Sequence, residues 1–271
     1  MMDRKKTIYI GLAVIVLLAV ALIASSSLGS GNSAALAAYD NVRVSSTVVN
    51  NLESVPNSVS NVVGINEVSD LPTIVKKGSM LTDNGKPEVL FIGAEYCPFC
   101  AAERWGMIIA LMRFGTFSNL HYMTSSPSDV FSNTPTFTFY NSTYTSNYIT
   151  FVPVEIEKNK LVNGTYPVLQ TPNQSENQIF SVYNPSGSIP FIDFANRSVQ
   201  VGSNYEPPDV LDGYNWTQIS YDLHNSSTVQ AQEVVGTANL VTAQICAITN
   251  NTPQSVCSQS YVVSAEKQLG I

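Results

Sequence analysis

Charge is the first shortage in this sequence. Asp, Glu, Lys and Arg together supply 12% of 271 residues, against 44% hydrophobic, so Ser, Thr and Asn carry much of the polarity. The apolar share is too high for a globally disordered chain. Net charge is −7, and the 13 Lys and Arg form no cluster beyond the N-terminus. That excludes the basic face a nucleic-acid partner needs. Histidine is limited to His121 and His224, and cysteine to four residues. A zinc site around Cys97 and Cys100 would have to borrow from Cys246, Cys257, His121 and His224, none of which forms a second short-spaced pair. No metal and no cofactor is expected. Ser-His-acid constellations, phosphate loops and paired-carboxylate motifs are also missing, so hydrolase and nucleotide chemistry has no support.

One long apolar run is present, at the N-terminus. Arg4, Lys5 and Lys6 precede an uncharged stretch from Ile8 to Ala24, extendable to Leu28. About 20 helical residues span a hydrocarbon core of roughly 30 Å. Residues 8–28 are therefore expected to be a transmembrane helix, with the basic flank 1–7 cytoplasmic and the rest of the chain outside. A cleaved signal sequence is the alternative, with Ala35-Leu36-Ala37 as its A-x-A site. Residues 29–40, rich in Ser, Gly, Ala and Asn, read as a flexible linker. Seven sequons at Asn141, Asn163, Asn173, Asn196, Asn215, Asn225 and Asn250 fit an extracytoplasmic, glycosylated domain over 41–271.

Within that domain "EVLFIG" (88–93) reads as a strand buried on both faces. "CAAERWGMIIALMRFG" (100–115) reads as an amphipathic helix that Gly115 stops. "LHYM" (120–123) and "YITFVPVEIE" (148–157) read as strands, the second weakened by Pro153. The polar, aromatic segment 124–147 reads as a surface excursion, its aromatic residues forming an insertion core or, alternatively, a docking surface. A short helix over 175–184, a hairpin over 189–202 and helical segments at 215–224, 228–249 and 255–268 complete an α/β order with a mixed sheet.

Two of the four cysteines lie in "GAEYCPFCAAERW" (93–105). Cys97 follows a buried strand and a sharp turn, where the long helix begins. Free backbone N–H groups and the positive helix end favour a thiolate there. Pro98 suits the first helical turn, and Cys100 lies one turn deeper. The pair therefore reads as an attacking and a resolving thiol. Two inert core cysteines or a structural disulfide are the alternatives. A loop so small would gain little entropy from closure.

"AEYCPFC" resembles the active-site segment of the thioredoxin superfamily, and its Cys-Pro-aromatic-Cys form is most similar to glutaredoxins and DsbA-like oxidoreductases. "GSIPFIDF" resembles that superfamily's cis-proline loop, with Ile189-Pro190 leading into a strand. The resemblance implies a thioredoxin-like α/β fold with an insertion at about 124–180, between the active-site helix and the cis-Pro strand. It also implies that Cys97, Cys100 and Pro190 are catalytic, while Ile189, Pro98 and Phe99 meet a protein substrate. Many relatives carry a buried carboxylate six residues before the first cysteine. This chain has Phe91 there, and the resemblance places the nearest acid, Glu95, in an exposed turn. The whole chain is also similar to the archaeal family called domain of unknown function 929, which implies a membrane-anchored thioredoxin-like protein with no assigned substrate.

Cys246 and Cys257, in "ICAITNNTPQSVC", are expected to staple a C-terminal helical hairpin over about 228–268 in an oxidising exterior. A relay to Cys97–Cys100 is the alternative. The reading that results is a membrane-anchored extracytoplasmic thiol–disulfide oxidoreductase acting on protein disulfides, with an unidentified redox partner. Its rival is a non-catalytic cell-surface glycoprotein whose CPFC pair is locked.

Overall fold

The computed structural model describes residues 35–66, 68, 71–75, 78–205 and 208–271. The expected membrane span 8–28, its basic flank and most of the linker lie outside them. Among the described residues no helix is long and apolar enough to cross a membrane.

Two short helices come first, α1 (Ser46–Glu53) and α2 (Asn57–Val63), then β1 (Thr73–Ile74), β2 (Thr82–Asp83) and β3 (Lys86–Gly93). The long helix α3 (Pro98–Met112) follows, then β4 (Gly115–Ser118), β5 (His121–Thr124), β6 (Pro135–Thr138), β7 (Thr143–Ser146) and β8 (Thr150–Glu155). The remainder is α4 (Gln174–Tyr183), β9 (Phe191–Phe194), β10 (Ser198–Val201), α5 (Trp216–Asp222), α6 (Gly236–Ile248), α7 (Gln254–Cys257) and α8 (Ser260–Leu269). A π-helical turn, Ala231–Val235, leads into α6.

The fold is mixed α/β. β3 is the hub of its sheet, pairing in parallel with β8 (Val89 opposite Phe151) and antiparallel with β9 (Val89 opposite Phe194). β10 continues from β9, and β1 from β10. Ala195 and Asn196 open the three-residue β9–β10 turn with φ of 52° and 55°, left-handed backbone at both positions. Asn tolerates this conformation, while Ala accepts it at a cost.

Along β3 the side chains alternate between two cores. Val89 and Phe91 belong to the large cluster with the helices, and Leu90 and Ile92 to a smaller one with Phe191, Val154 and the α4 face. All four are 0% exposed, which explains the unbroken apolar run: neither face of this strand meets water. Each such side chain contributes roughly 1.5–3 kcal/mol by leaving solvent. Pro153 is accommodated because β8 is an edge of the central sheet, paired there with β3 alone among the described residues, so its missing N–H costs no ladder bond on the open side.

α3 departs from the amphipathic expectation, since everything from Cys100 to Leu111 is buried. The central sheet, the strands β4 and β6, and α6 cover its different sides. Gly106 permits the closest approach: a Cβ there would lie 2.3 Å from Thr237 Cγ2 and 3.1 Å from Ala238 N. The helix ends at Met112, and Gly115 does not stop it. Gly115 instead opens β4, where a Cβ would meet Thr145 O at 2.3 Å, so it is required by the crossing strand rather than by a cap.

The segment 124–147 is not a surface excursion. It supplies β6 and β7, which pair with β5 and β4 as two small antiparallel sheets, and β6 is buried at all four residues. Its polar atoms are used internally: Thr136 Oγ1 donates to Ala101 O at 2.8 Å, and Trp105 Nε1 donates to Pro135 O at 2.8 Å. Phe137 and Phe139 pack with Phe151 of β8. β8 lies within 124–180 but belongs to the central sheet, where it pairs with β3. At the C-terminus Cys246 and Cys257 form a disulfide, 11 residues apart in sequence, joining α6 to α7.

Candidate functional site

β3 ends at Gly93, and a short turn delivers Cys97 to the start of α3. Cys97 is the N-cap: its Sγ accepts the Cys100 N–H at 3.2 Å, and Pro98 occupies the first turn. Both thiols are free and buried, with Cys97 4% exposed and Cys100 0%. Cys97 Sγ lies 3.8 Å from the carbonyl of Ile189, in the cis Ile189-Pro190 segment. Pro190 is buried, its own carbonyl accepting Gly202 N–H at 2.8 Å. Thus Cys97, Cys100, Ile189 and Pro190 come together from positions 92 residues apart.

The two thiols are driven apart in acidity. Cys97 is lowered, first by the hydrogen bond from the Cys100 thiol and then by backbone N–H groups at Cys100 and Phe99 and the Arg104 charge. Cys100 is raised well above an ordinary thiol, mainly by burial. This asymmetry suits one nucleophile and one protonated reserve.

Aromatic side chains ring the pair. Phe99 is half-buried against Phe131, with ring centroids 5.9 Å apart. Tyr96 stacks on Tyr166 at 4.2 Å with an 8° interplanar angle, and Tyr166 OH donates to Ser126 Oγ at 2.8 Å. Tyr166 comes from the segment after β8 and Phe131 from the loop between β5 and β6, so two separate segments build the walls of the site.

Three buried charged residues near the dithiol escaped the sequence reading, and a fourth, Glu95, was placed wrongly by it. Arg104, one turn beyond Cys100, donates from Nε to Glu155 Oε1 at 2.9 Å and from Nη2 to Glu155 Oε2 at 2.6 Å. Nη2 also reaches Ala94 O at 2.8 Å. Both members of this ion pair are 0% exposed, an arrangement that survives desolvation only with near-complete hydrogen bonding. Glu103 accepts Asn204 N–H at 2.9 Å, and burial raises its carboxyl to about 7. Glu95 is the clearest correction: it is 4% exposed rather than in an exposed turn. The Thr138 hydroxyl, on strand β6, donates to it at 2.7 Å. Burial raises Glu95 to about 7 against that hydrogen bond. A signal for two of these was present in "AAERWGMIIAL", where Glu103 and Arg104 interrupt an otherwise apolar helix. Charges so placed need buried partners.

Of the sequon residues, Asn141, Asn163, Asn173, Asn215, Asn225 and Asn250 are exposed and Asn196 is half-buried. Asn173 and Asn215 serve as N-caps of α4 and α5.

Fold and site together define a mixed α/β protein with a dithiol at the start of its central helix. Residues 74–166 match the model of a family described as a domain of unknown function, DUF929. The match runs from β1 through the dithiol and both halves of the site wall, and it supports that family. No curated protein and no solved structure matches the chain.

Proposed function

We propose that this protein is a thiol–disulfide oxidoreductase with a thioredoxin-like domain, acting on protein disulfides. The observation that carries the reading is Cys97 Sγ as N-cap, 3.2 Å from Cys100 N and 3.8 Å from Ile189 O. The strand relations support it: a parallel strand on one side of β3, an antiparallel hairpin on the other, and α3 between β3 and β8.

Cys97 thiolate attacks one sulfur of a substrate disulfide, forming a mixed disulfide and releasing the other sulfur as a thiolate. Cys100 then attacks Cys97 Sγ, forming the Cys97–Cys100 disulfide and releasing the second substrate sulfur, while the Cys100 proton passes to a departing thiolate. The substrate gains two electrons and the dithiol loses them. A dithiol donor returns the pair to its reduced state, and the reverse sequence oxidises a substrate dithiol. Membrane tethering through residues 8–28, with the domain extracytoplasmic, is part of the proposal. The Cys246–Cys257 disulfide is in keeping with an oxidising compartment.

One observation favours the rival reading of a static pair in a glycoprotein: Cys97 is only 4% exposed. The test is Cys100→Ser, which removes the resolving thiol and leaves Cys97 to accumulate mixed disulfides. Protein adducts that disappear with Cys97→Ser support exchange. Absence of adducts, with the wild-type pair resistant to dithiol reductants, supports the static pair.

A further inference from the structure

Phe91 leaves Cys100 without the carboxylate that could take its proton, yet the space around it is not electrically empty. A Cβ placed on Gly93 would lie 3.3 Å from Cys100 Sγ and 2.5 Å from Phe91 Cζ, so sulfur and ring flank the same glycine. The Arg104 guanidinium sits over that ring, 5.6 Å from its centroid. Arg104 is also four residues beyond Cys100 on α3, a spacing that shares one helix face. Its Nη2 is fixed to Ala94 O, one residue past Gly93. Nη1 is buried and has no hydrogen-bond partner among the described residues. Glu155 answers most of the charge, but its Oε1 is divided between Arg104 Nε and the Phe139 N–H at 3.2 Å.

Resting on the exchange reading above, we propose that Arg104 is a positioning residue for the resolving step: its fixed cation, tempered by Glu155, supports Cys100 as the attacking thiolate where a proton-accepting carboxylate is missing. The device differs in kind from a titrating base. A carboxylate takes the proton and is then neutral, so it supplies no charge to hold the thiolate it leaves behind. A buried guanidinium takes no proton but stabilises the anion throughout the attack. Glu155 sets the strength of that help, because neutralising it leaves the cation less compensated in a low-dielectric site. The other acid facing the pair is Glu95, from the turn after β3, hydrogen-bonded to Thr138 of β6. It is protonated below about 7, so at pH 6 it adds little charge beside Arg104.

The experiment uses the full-length chain at pH 6 and a small aromatic disulfide, dithiodipyridine, which releases one absorbing thione on attack by Cys97 and a second on resolution by Cys100. Glu155→Gln removes the counter-charge and should speed the second phase. Arg104→Met with Glu155→Met removes both charges together, an exchange that buried pairs often tolerate, and should slow it. A tenfold change in thiolate fraction, offset by the lower nucleophilicity of a more acidic thiol, gives a net change of about threefold in each direction. A purely structural role cannot produce opposite signs in the two variants. Equal second phases in both variants and wild type, or the same direction in both, overturn the inference while leaving the exchange reading intact. Absence of a first phase in wild type overturns both.

Discussion

Glu95 accepts a hydrogen bond from the Thr138 hydroxyl at 2.7 Å, joining the turn before the dithiol to strand β6. The contact buries a carboxyl two residues from Cys97, and its acidity falls to a value near neutrality, about 7.

That burial makes stability depend on pH with a definite sign. An acid whose folded pKa lies above its unfolded value holds its proton in the folded state over the window between them, here about 4.5 to 7. Stability is greatest below that window and falls as pH rises through it. Glu103 acts in the same direction over the same window. The melting temperature should therefore be higher at pH 5 than at pH 8. Glu95→Gln keeps an acceptor for Thr138 and should recover up to about 3 kcal/mol at pH 8. A pH slope equal to that of the wild type in Glu95→Gln would remove Glu95 as the cause.

The Cys246–Cys257 disulfide lies in the core, its cysteines 0% and 3% exposed. Closing a loop of 11 residues is worth about 3 kcal/mol in the chain-entropy account. The double variant Cys246→Ser, Cys257→Ser should lose roughly that much in denaturant unfolding while Cys97 keeps its alkylation rate. Lost thiol exchange with unchanged stability would instead make this pair a relay.

How much of this was legible beforehand follows from the range of each signal. β3 showed itself because burial on both faces leaves an unbroken apolar run, and the start of α3 because Cys97-Pro98 is a local capping pattern. Ile189-Pro190 could be placed only by resemblance, since 92 residues separate Ile189 from Cys97. The Thr-rich stretch 134–138 reads as solvent-loving, yet its hydroxyls spend themselves on Ala101 O and Glu95. Polarity along a chain does not reveal where an internal acceptor waits. Glu155 was invisible for the same reason, since its partner Arg104 sits 51 residues away.

Among the sequons, Asn196 is committed elsewhere. Its Nδ2 donates to Ser79 O at 3.0 Å, and its Oδ1 accepts the Tyr183 hydroxyl at 2.6 Å. Glycan attachment would replace an N–H of the nitrogen that donates to Ser79 O and is packed against Gly78 in the folded chain. Glycopeptide mass spectrometry of the folded, full-length protein should find Asn141, Asn163 or Asn250 modified and Asn196 bare. Full occupancy at Asn196 would show that modification precedes the β9–β10 hairpin and that the hairpin tolerates it.

Phe91 offers the sharpest separation of packing from charge. Its ring is 0% exposed and meets Phe139 edge-on at 5.1 Å, with Arg104 above it. Phe91→Leu loses part of that packing and should cost about 1–2 kcal/mol, whereas Phe91→Asp adds a buried charge and should cost about 3–5 kcal/mol. The acid would also compete with Glu155 for Arg104 and place a negative charge near both sulfurs. Cys97 is held below an ordinary thiol chiefly by the Cys100 thiol hydrogen bond, with Arg104 assisting. Drawing Arg104 away and adding an anion both oppose the thiolate. The alkylation rate of Cys97 with a small reagent should level off at low pH in the wild type and in Phe91→Leu. In Phe91→Asp the plateau should move to higher pH. Equal plateaus in all three, measured where each is folded, would mean that the Cys97 thiolate depends on the Cys100 thiol and the helix-start N–H groups and that charge beneath α3 does not reach it.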